Sequence, residues 1–219
     1  MITVADGTKR IIERSRYLQE ALEKGIINIS ALSRYIKPEL EEMLIKKTSE
    51  SAIIMAIRRV AKDLRPRFRY KNIFKTPPDM ITRSNLVEIN VVNSKDLIEK
   101  FPQLLKLSKS QAESFFTITE GVFETTIIVS LNLHKDIKKL LKDETIVAEF
   151  HDLCSITVRL PEEAIFTPGV HYFFLKSLAW EGVNIIETVS AYREFTLILE
   201  RKDMNKAFSI LQSLFPRTL

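Results

Sequence analysis

Apolar residues recur at helical spacing through the first third of the chain and then give way to short alternating runs. The pattern therefore predicts a helical segment followed by a mixed α and β region. Over Thr8–Lys24 the positions Ile11, Ile12, Tyr17, Leu18, Ala21 and Leu22 predict one amphipathic helix, with Gly25 placed to stop it. In "NISALSRYIKPELEEMLI", Asn28 or Ser30 offers an N-cap and Pro38 suits a first helical position, which predicts two short helices. A capped helix follows in "KKTSESAIIMAIRRVAKDLR". Thr48 or Ser49 is its cap, Ile53, Ile57, Val60, Ala61 and Leu64 are its buried stripe, and Arg58, Lys62 and Arg65 share an exposed face, with Arg59 beside them. After Pro66 the rhythm becomes alternation, with Arg65, Arg67, Arg69 and Lys71 on one phase and Phe68 and Tyr70 on the other.

From Leu86 the pattern is written twice. "LVEINVV" reads as a strand, "SKDLIEKFPQLLKL" as a helix, "SFFTIT" and "VFETTIIVS" as a hairpin, "HKDIKKLLKD" as a helix and "TIVAEFHDL" as a closing strand. "CSITVRLP" opens the second copy, and "GVHYFFLKSLAWEG", "VNIIETVS", "REFTLILE" and "DMNKAFSILQSLF" follow. Each copy has the order of a ferredoxin-like βαββαβ unit. The second stops at "FPRTL" without a fourth strand, leaving a sheet edge to be covered by the first copy or by another subunit. The predicted fold class is α+β: an N-terminal helical, winged helix-turn-helix-like domain over residues 1–75, then two ferredoxin-like units over 84–153 and 154–219.

Charge sharpens the division. Residues 1–70 hold 15 Lys/Arg against 9 Asp/Glu, a net +6, whereas the remaining 149 residues hold 18 against 19. A basic end on a compact helical unit is what a DNA-contacting winged helix requires: a helix on an apolar stripe whose outer face meets phosphate, followed by a basic wing. Arg58, Arg59, Lys62, Arg65, Arg67, Arg69 and Lys71 are the candidate nucleic-acid contacts; a solvated basic face is the competing reading.

The remaining chemistry is spare. One cysteine, Cys154, allows no intramolecular disulfide and fits a reducing, cytoplasmic setting. There is no export signal, no stretch long and apolar enough to span a membrane, no phosphate loop and no nucleophile elbow, so no catalytic residue, cofactor or membrane partner is expected. Of His134, His151 and His171, only His151 has ligand-like spacing, to Cys154, and two ligands fall short of a structural zinc site, so no metal is expected either.

The second copy resembles an ACT domain, and the pair is similar to the tandem ACT units in the regulatory tail of aspartokinases. The likeness runs from about residue 86 to 215 and is carried by Pro168-Gly169-Val170 before the first helix, Glu181-Gly182-Val183-Asn184-Ile185 leading into the second strand, and Arg201-Lys202-Asp203. Thr167 stands where such sites often have Asn or an acid, and the first copy has "NSKDLIEK" in place of the Pro-Gly loop. The resemblance implies an amino-acid or similar small-molecule effector at Thr167, Pro168, Gly169, Val170, Asn184 and Ile185, and a homodimer formed through ACT sheet edges. A glycine at a helix start lets a ligand approach backbone amides that attract a carboxylate; a tight strand-to-helix turn is the plainer explanation. Three functions stay open: a ligand-responsive DNA-binding transcriptional regulator, an ACT regulatory subunit that docks on an amino-acid-metabolism enzyme without touching DNA, or a diverged allosteric fragment acting with a separate kinase.

Overall fold

The computed structural model describes residues 2–64, 73–110 and 114–215. The chain divides into two compact units, Met1–Arg67 and Phe68–Leu219.

The first unit is four helices: α1 (Val4–Arg14), α2 (Arg16–Glu23), α3 (Ile29–Leu44) and α4 (Glu50–Asp63). The single helix expected over Thr8–Lys24 is two, because Ser15 takes an extended conformation between them. Gln19 stabilises that break: its side-chain amide donates to the Glu13 carbonyl at 2.6 Å and to the Ile12 carbonyl at 3.3 Å, beside the bond that the Ser15 N–H makes to Ile12. The two helices expected across Pro38 are one. The proline removes one helical bond, but Leu32, Ile36 and Leu40 on either side of it are buried on a single stripe, and that packing carries the helix through. Ser49 caps α4 as expected, its hydroxyl accepting from the Ala52 amide, and Ile53, Ile57 and Val60 close the core with Ile11, Ile12 and Leu22. Gly7 is where α1 passes α3, since a Cβ there would lie 2.5 Å from Leu40. The expected wing, with Arg65, Arg67, Arg69 and Lys71, lies outside the described residues.

The second unit is a six-stranded antiparallel sheet of β1 (Met80–Val92), β2 (Phe116–Glu120), β3 (Glu124–Ser130), β4 (Ile146–Arg159), β5 (Glu187–Ala191) and β6 (Glu194–Glu200), in the order β2-β3-β1-β4-β6-β5. Its helices are α5 (Lys95–Ser110), α6 (Leu131–Leu140), α7 (Val170–Trp180) and α8 (Met204–Ser213). The two strands expected on either side of residue 153 are one, since β4 runs through the expected boundary. Its first part pairs with β1 from Leu86 onward, and its second part pairs with β6 and with Met80–Arg83, the start of β1. The fourth strand absent from the end of the second copy is thus supplied by the beginning of the first. Each half has the ferredoxin-like order, but the halves share their two longest strands.

Two residues make this sharing possible. Asn85 and Asp152 have positive φ, 58° and 53°, at register shifts in β1 and β4. An inserted residue reverses the alternation of side chains. Val87, Ile89 and Val91 therefore face α5 and α6, while Cys154, Ile156 and Val158 on the same side of the sheet face α7 and α8. The opposite side carries Leu86, Ile128, Leu153 and Ile198, one from each central strand, all buried. No helix among the described residues is long and apolar enough to cross a membrane.

Candidate functional site

The turn singled out in the sequence lies between β4 and α7. After Arg159 the chain makes a 3₁₀ turn at Glu162–Ala164, and Gly169 then takes φ 89°, ψ 3° as the N-cap of α7. That left-handed conformation explains why glycine stands there. Gly169 has no side chain, so the N-cap residue itself supplies no acceptor to the first turn of α7. Val170 is buried and anchors the turn to the core, whereas Pro168 is exposed. The Thr167 hydroxyl donates to the Glu163 carbonyl at 2.7 Å; its proton is committed to the turn, and what it offers a ligand is an acceptor.

The corresponding helix start in the other half is closed. Ser94 accepts from the Leu97 amide at 2.9 Å and donates to Glu144 at 2.7 Å, and Lys100 pairs with the same carboxylate. The Lys100 ammonium and the Ser94 hydroxyl hold the Glu144 carboxyl below its usual range. Asn93 is also engaged: its amide donates to the Gly121 carbonyl and its oxygen accepts from Thr125, each at 2.7 Å. One half caps its helix with a side chain and the other has glycine at the N-cap.

Asn184 and Ile185 follow the far end of α7. The helix has 11 residues, about 16 Å at 1.5 Å per residue, so one small molecule cannot touch Gly169 and Asn184 of the same chain. Ile185 packs on the core, while Asn184 is exposed and makes no hydrogen bond with another described residue. Exposed aromatics stand at both ends, Phe166 beside the turn and Trp180 at the end of α7. Trp180 is 82% exposed and so is not part of the core of this chain. The β5–β6 turn shares the Gly169 end, since the Leu160 amide donates to the Arg193 carbonyl at 2.7 Å and Arg193 Nε donates to the Leu160 carbonyl at 2.8 Å. His171, in the first turn of α7, is exposed and rests its ring edge-on against Phe195.

On the helical unit, Arg58, Arg59 and Lys62 are exposed along α4 together with Met55, and among the described residues none of the three takes part in a salt bridge. Two of the three histidines come together in the fold. His134 on α6 and His151 on β4 converge on Glu149, because the fold lays α6 over that part of β4, which residue spacing alone does not reveal. Cys154 belongs to a different environment: it is buried with its thiol toward the Leu199 carbonyl, and burial pushes its pKa up to about 11, which makes it a poor ligand or nucleophile.

No family model and no curated protein sequence matches the chain. Solved structures do share the fold of the second unit. An aspartate kinase from Clostridium acetobutylicum superposes with a TM-score of 0.53 at 15% identity, covering 65% of this chain and 36% of that one, so this chain corresponds to about a third of that enzyme. The regulatory subunit of aspartate kinase from Thermus thermophilus, in its ligand-free form, gives 0.52 at 13% identity over 64% of this chain and 100% of that subunit. A structure of aspartokinase alpha and beta subunits gives 0.51 at 18% identity, covering 64% and 98%. The sheet unit of this chain thus has the ACT-like fold found in the regulatory subunits of aspartate kinases.

Proposed function

We propose that the chain is a non-catalytic regulatory protein whose sheet unit senses an amino acid or a similar carboxylate-bearing molecule. The observation that carries this reading is the contrast between the two helix starts: α5 is capped by Ser94, itself held by Glu144, whereas the N-cap of α7 is Gly169, which brings no side chain into the space where a carboxylate would meet the helix start. The likeness to regulatory subunits supports the same assignment.

The site is completed by a second copy. Strand β5 is a free edge, and Thr188 turns its N–H away from β6, to the Glu187 carboxylate at 2.8 Å. Antiparallel pairing of two β5 edges sets the start of one strand beside the end of the other. Asn184 of one copy, just before β5, then comes to the Gly169 end of its neighbour, and the exposed Trp180 follows it toward Phe166. Asn184 would accept from the effector's amino group while the α7 amides take its carboxylate.

A thermal-shift screen against the twenty amino acids tests this. The effector at a hundred times its Kd should stabilise by about 2.7 kcal/mol, or roughly 5–11 °C. Gly169→Asp should abolish that shift, because its own carboxylate competes for the helix start; the strain of a side chain at φ 89° lowers the melting temperature without ligand as well, and that fall is read separately from the ligand response. Ser190→Pro removes the next outward-facing amide of β5 and should reduce association and ligand response together. A ligand response that survives Gly169→Asp overturns the site.

The helical unit would deliver the output, and the unpaired cations along α4 favour DNA as its target. Changing Arg58, Arg59 and Lys62 to Gln should weaken binding in a mobility-shift assay and reduce the salt slope by about one unit for each phosphate no longer neutralised. Absence of salt-dependent binding by the unaltered protein assigns the helical unit instead to docking on an enzyme, the reading to which the aspartate kinase neighbours lend equal support.

A further inference from the structure

We propose that His134, Glu149 and His151 form a binding site for one divalent transition-metal ion of the zinc, cobalt or nickel class. The site is separate from the α7 turn and independent of the effector reading. His134 lies on α6; Glu149 and His151, two residues apart on β4, point to the same side of the strand, toward that helix. Both Nε2 atoms converge on a single oxygen, Glu149 Oε1, at 2.6 Å from His134 and 2.9 Å from His151. The two rings stand nearly perpendicular with centroids 5.3 Å apart, and the three ligand atoms lie within 4.8 Å of one another. Convergence of two imidazoles and one carboxylate on one point is the donor set that imidazole-preferring divalent ions take.

The geometry needs only a small adjustment. Ligand atoms around a tetrahedral ion with bonds of about 2.0–2.2 Å sit roughly 3.3–3.6 Å apart, so Oε1 retreats from each nitrogen by under about 1 Å. Without metal, each Nε2 donates to the carboxylate; with metal, both imidazoles offer Nε2 as a lone pair and carry their proton on Nδ1. Access is open on one side. The β6 ladder begins only at Leu153, so among the described residues the part of β4 that carries Glu149 and His151 has no strand on that flank, and the His151 side chain is 54% exposed. Three protein ligands leave a coordination position for water or for a group from a partner.

Lys138 gives the site its own regulation. One turn after His134, its ammonium pairs with Glu149 Oε2 at 2.6 Å, fixing the carboxylate so that Oε1 faces both histidines. It also places a positive charge beside the ion. It is therefore a positioning residue that moderates affinity: Lys138→Gln keeps a donor to Oε2, removes the charge and should tighten binding several-fold.

The test is calorimetric titration of the metal-stripped full chain with Zn²⁺, together with Co²⁺ followed by visible absorption. The expected result is one ion per chain, with the absorption bands of nitrogen-ligated Co²⁺. His151→Ala, at an exposed position that the fold does not need, should weaken binding at least tenfold. His134→Ala should do the same while circular dichroism remains that of the unaltered chain. His171→Ala should leave the titration unchanged. Absence of a one-to-one event with either ion, or an affinity that His151→Ala does not alter, overturns the site.

Discussion

Phe174→Ala is expected to cost about 3–5 kcal/mol, the largest loss from a single substitution in the sheet unit. The Phe174 side chain is fully buried between α7 and the sheet. Its ring meets Phe74 edge-on at 5.8 Å, Phe173 at 5.5 Å, Phe195 at 5.8 Å and Phe215 at 6.0 Å. Truncation removes the buried apolar area, leaves a cavity between elements that cannot close over it, and forfeits aromatic pairs worth roughly 0.5–1.5 kcal/mol each. For a chain of this size that is a fall of about 6–20 °C in melting temperature. Phe174→Leu, which keeps most of the volume, should cost about 1–2 kcal/mol. Urea denaturation followed by circular dichroism reads both, and a loss below about 1.5 kcal/mol for the alanine variant would mean that the aromatic cluster does not hold α7 to the sheet.

Glu88→Gln should have the opposite sign. Glu88 lies on the side of the sheet away from the helices, 3% exposed, with Oε1 accepting from Asn90 at 2.9 Å and Oε2 without a partner among the described residues. Burial raises its pKa above the ordinary 4.5; the Asn90 donor opposes the shift and the charge of Glu187 adds to it. A carboxyl whose pKa is raised by folding takes up protons in the native state, so its ionised form subtracts from stability. The penalty is absent below about pH 4.5, grows as pH rises to the raised folded value, and is constant above it. Glu88→Gln keeps the Asn90 bond and removes the charge, so at pH 7 it should raise stability by about 1–3 kcal/mol. At about pH 4 the two proteins should melt together. A variant less stable than the parent at neutral pH would mean that the carboxylate has a structural partner.

The local elements were legible from the residues because each is set by forces acting within a few positions. The Ser49 cap and the Ile53, Ile57 and Val60 stripe dictate α4 with no help from the rest of the chain. The alternation in "REFTLILE" dictates β6, and Gly169 marks a positive φ that other residues reach only with strain. Pro38 and the apolar spacing over Thr8–Lys24 misled for one reason: whether a helix continues or breaks depends on the packing of its stripe and on side-chain donors such as Gln19. Those partners are chosen by the fold.

What the sequence by itself determined is the helical first third, the repeated α and β pattern after it, the concentration of positive charge in the first third and the glycine turn ahead of α7. Tertiary structure decided how the repeats combine. Hydrogen bonding between strands joined the expected end of one copy to the start of the next as a single β4, lent Met80–Arg83 to the second half, and used inserted residues at Asn85 and Asp152 to keep four helices on one side of the sheet. The same long-range packing drew His134 to Glu149 and His151. Register between distant segments is fixed by the burial of whole faces, a property of the assembled sheet, and no local window of sequence contains it.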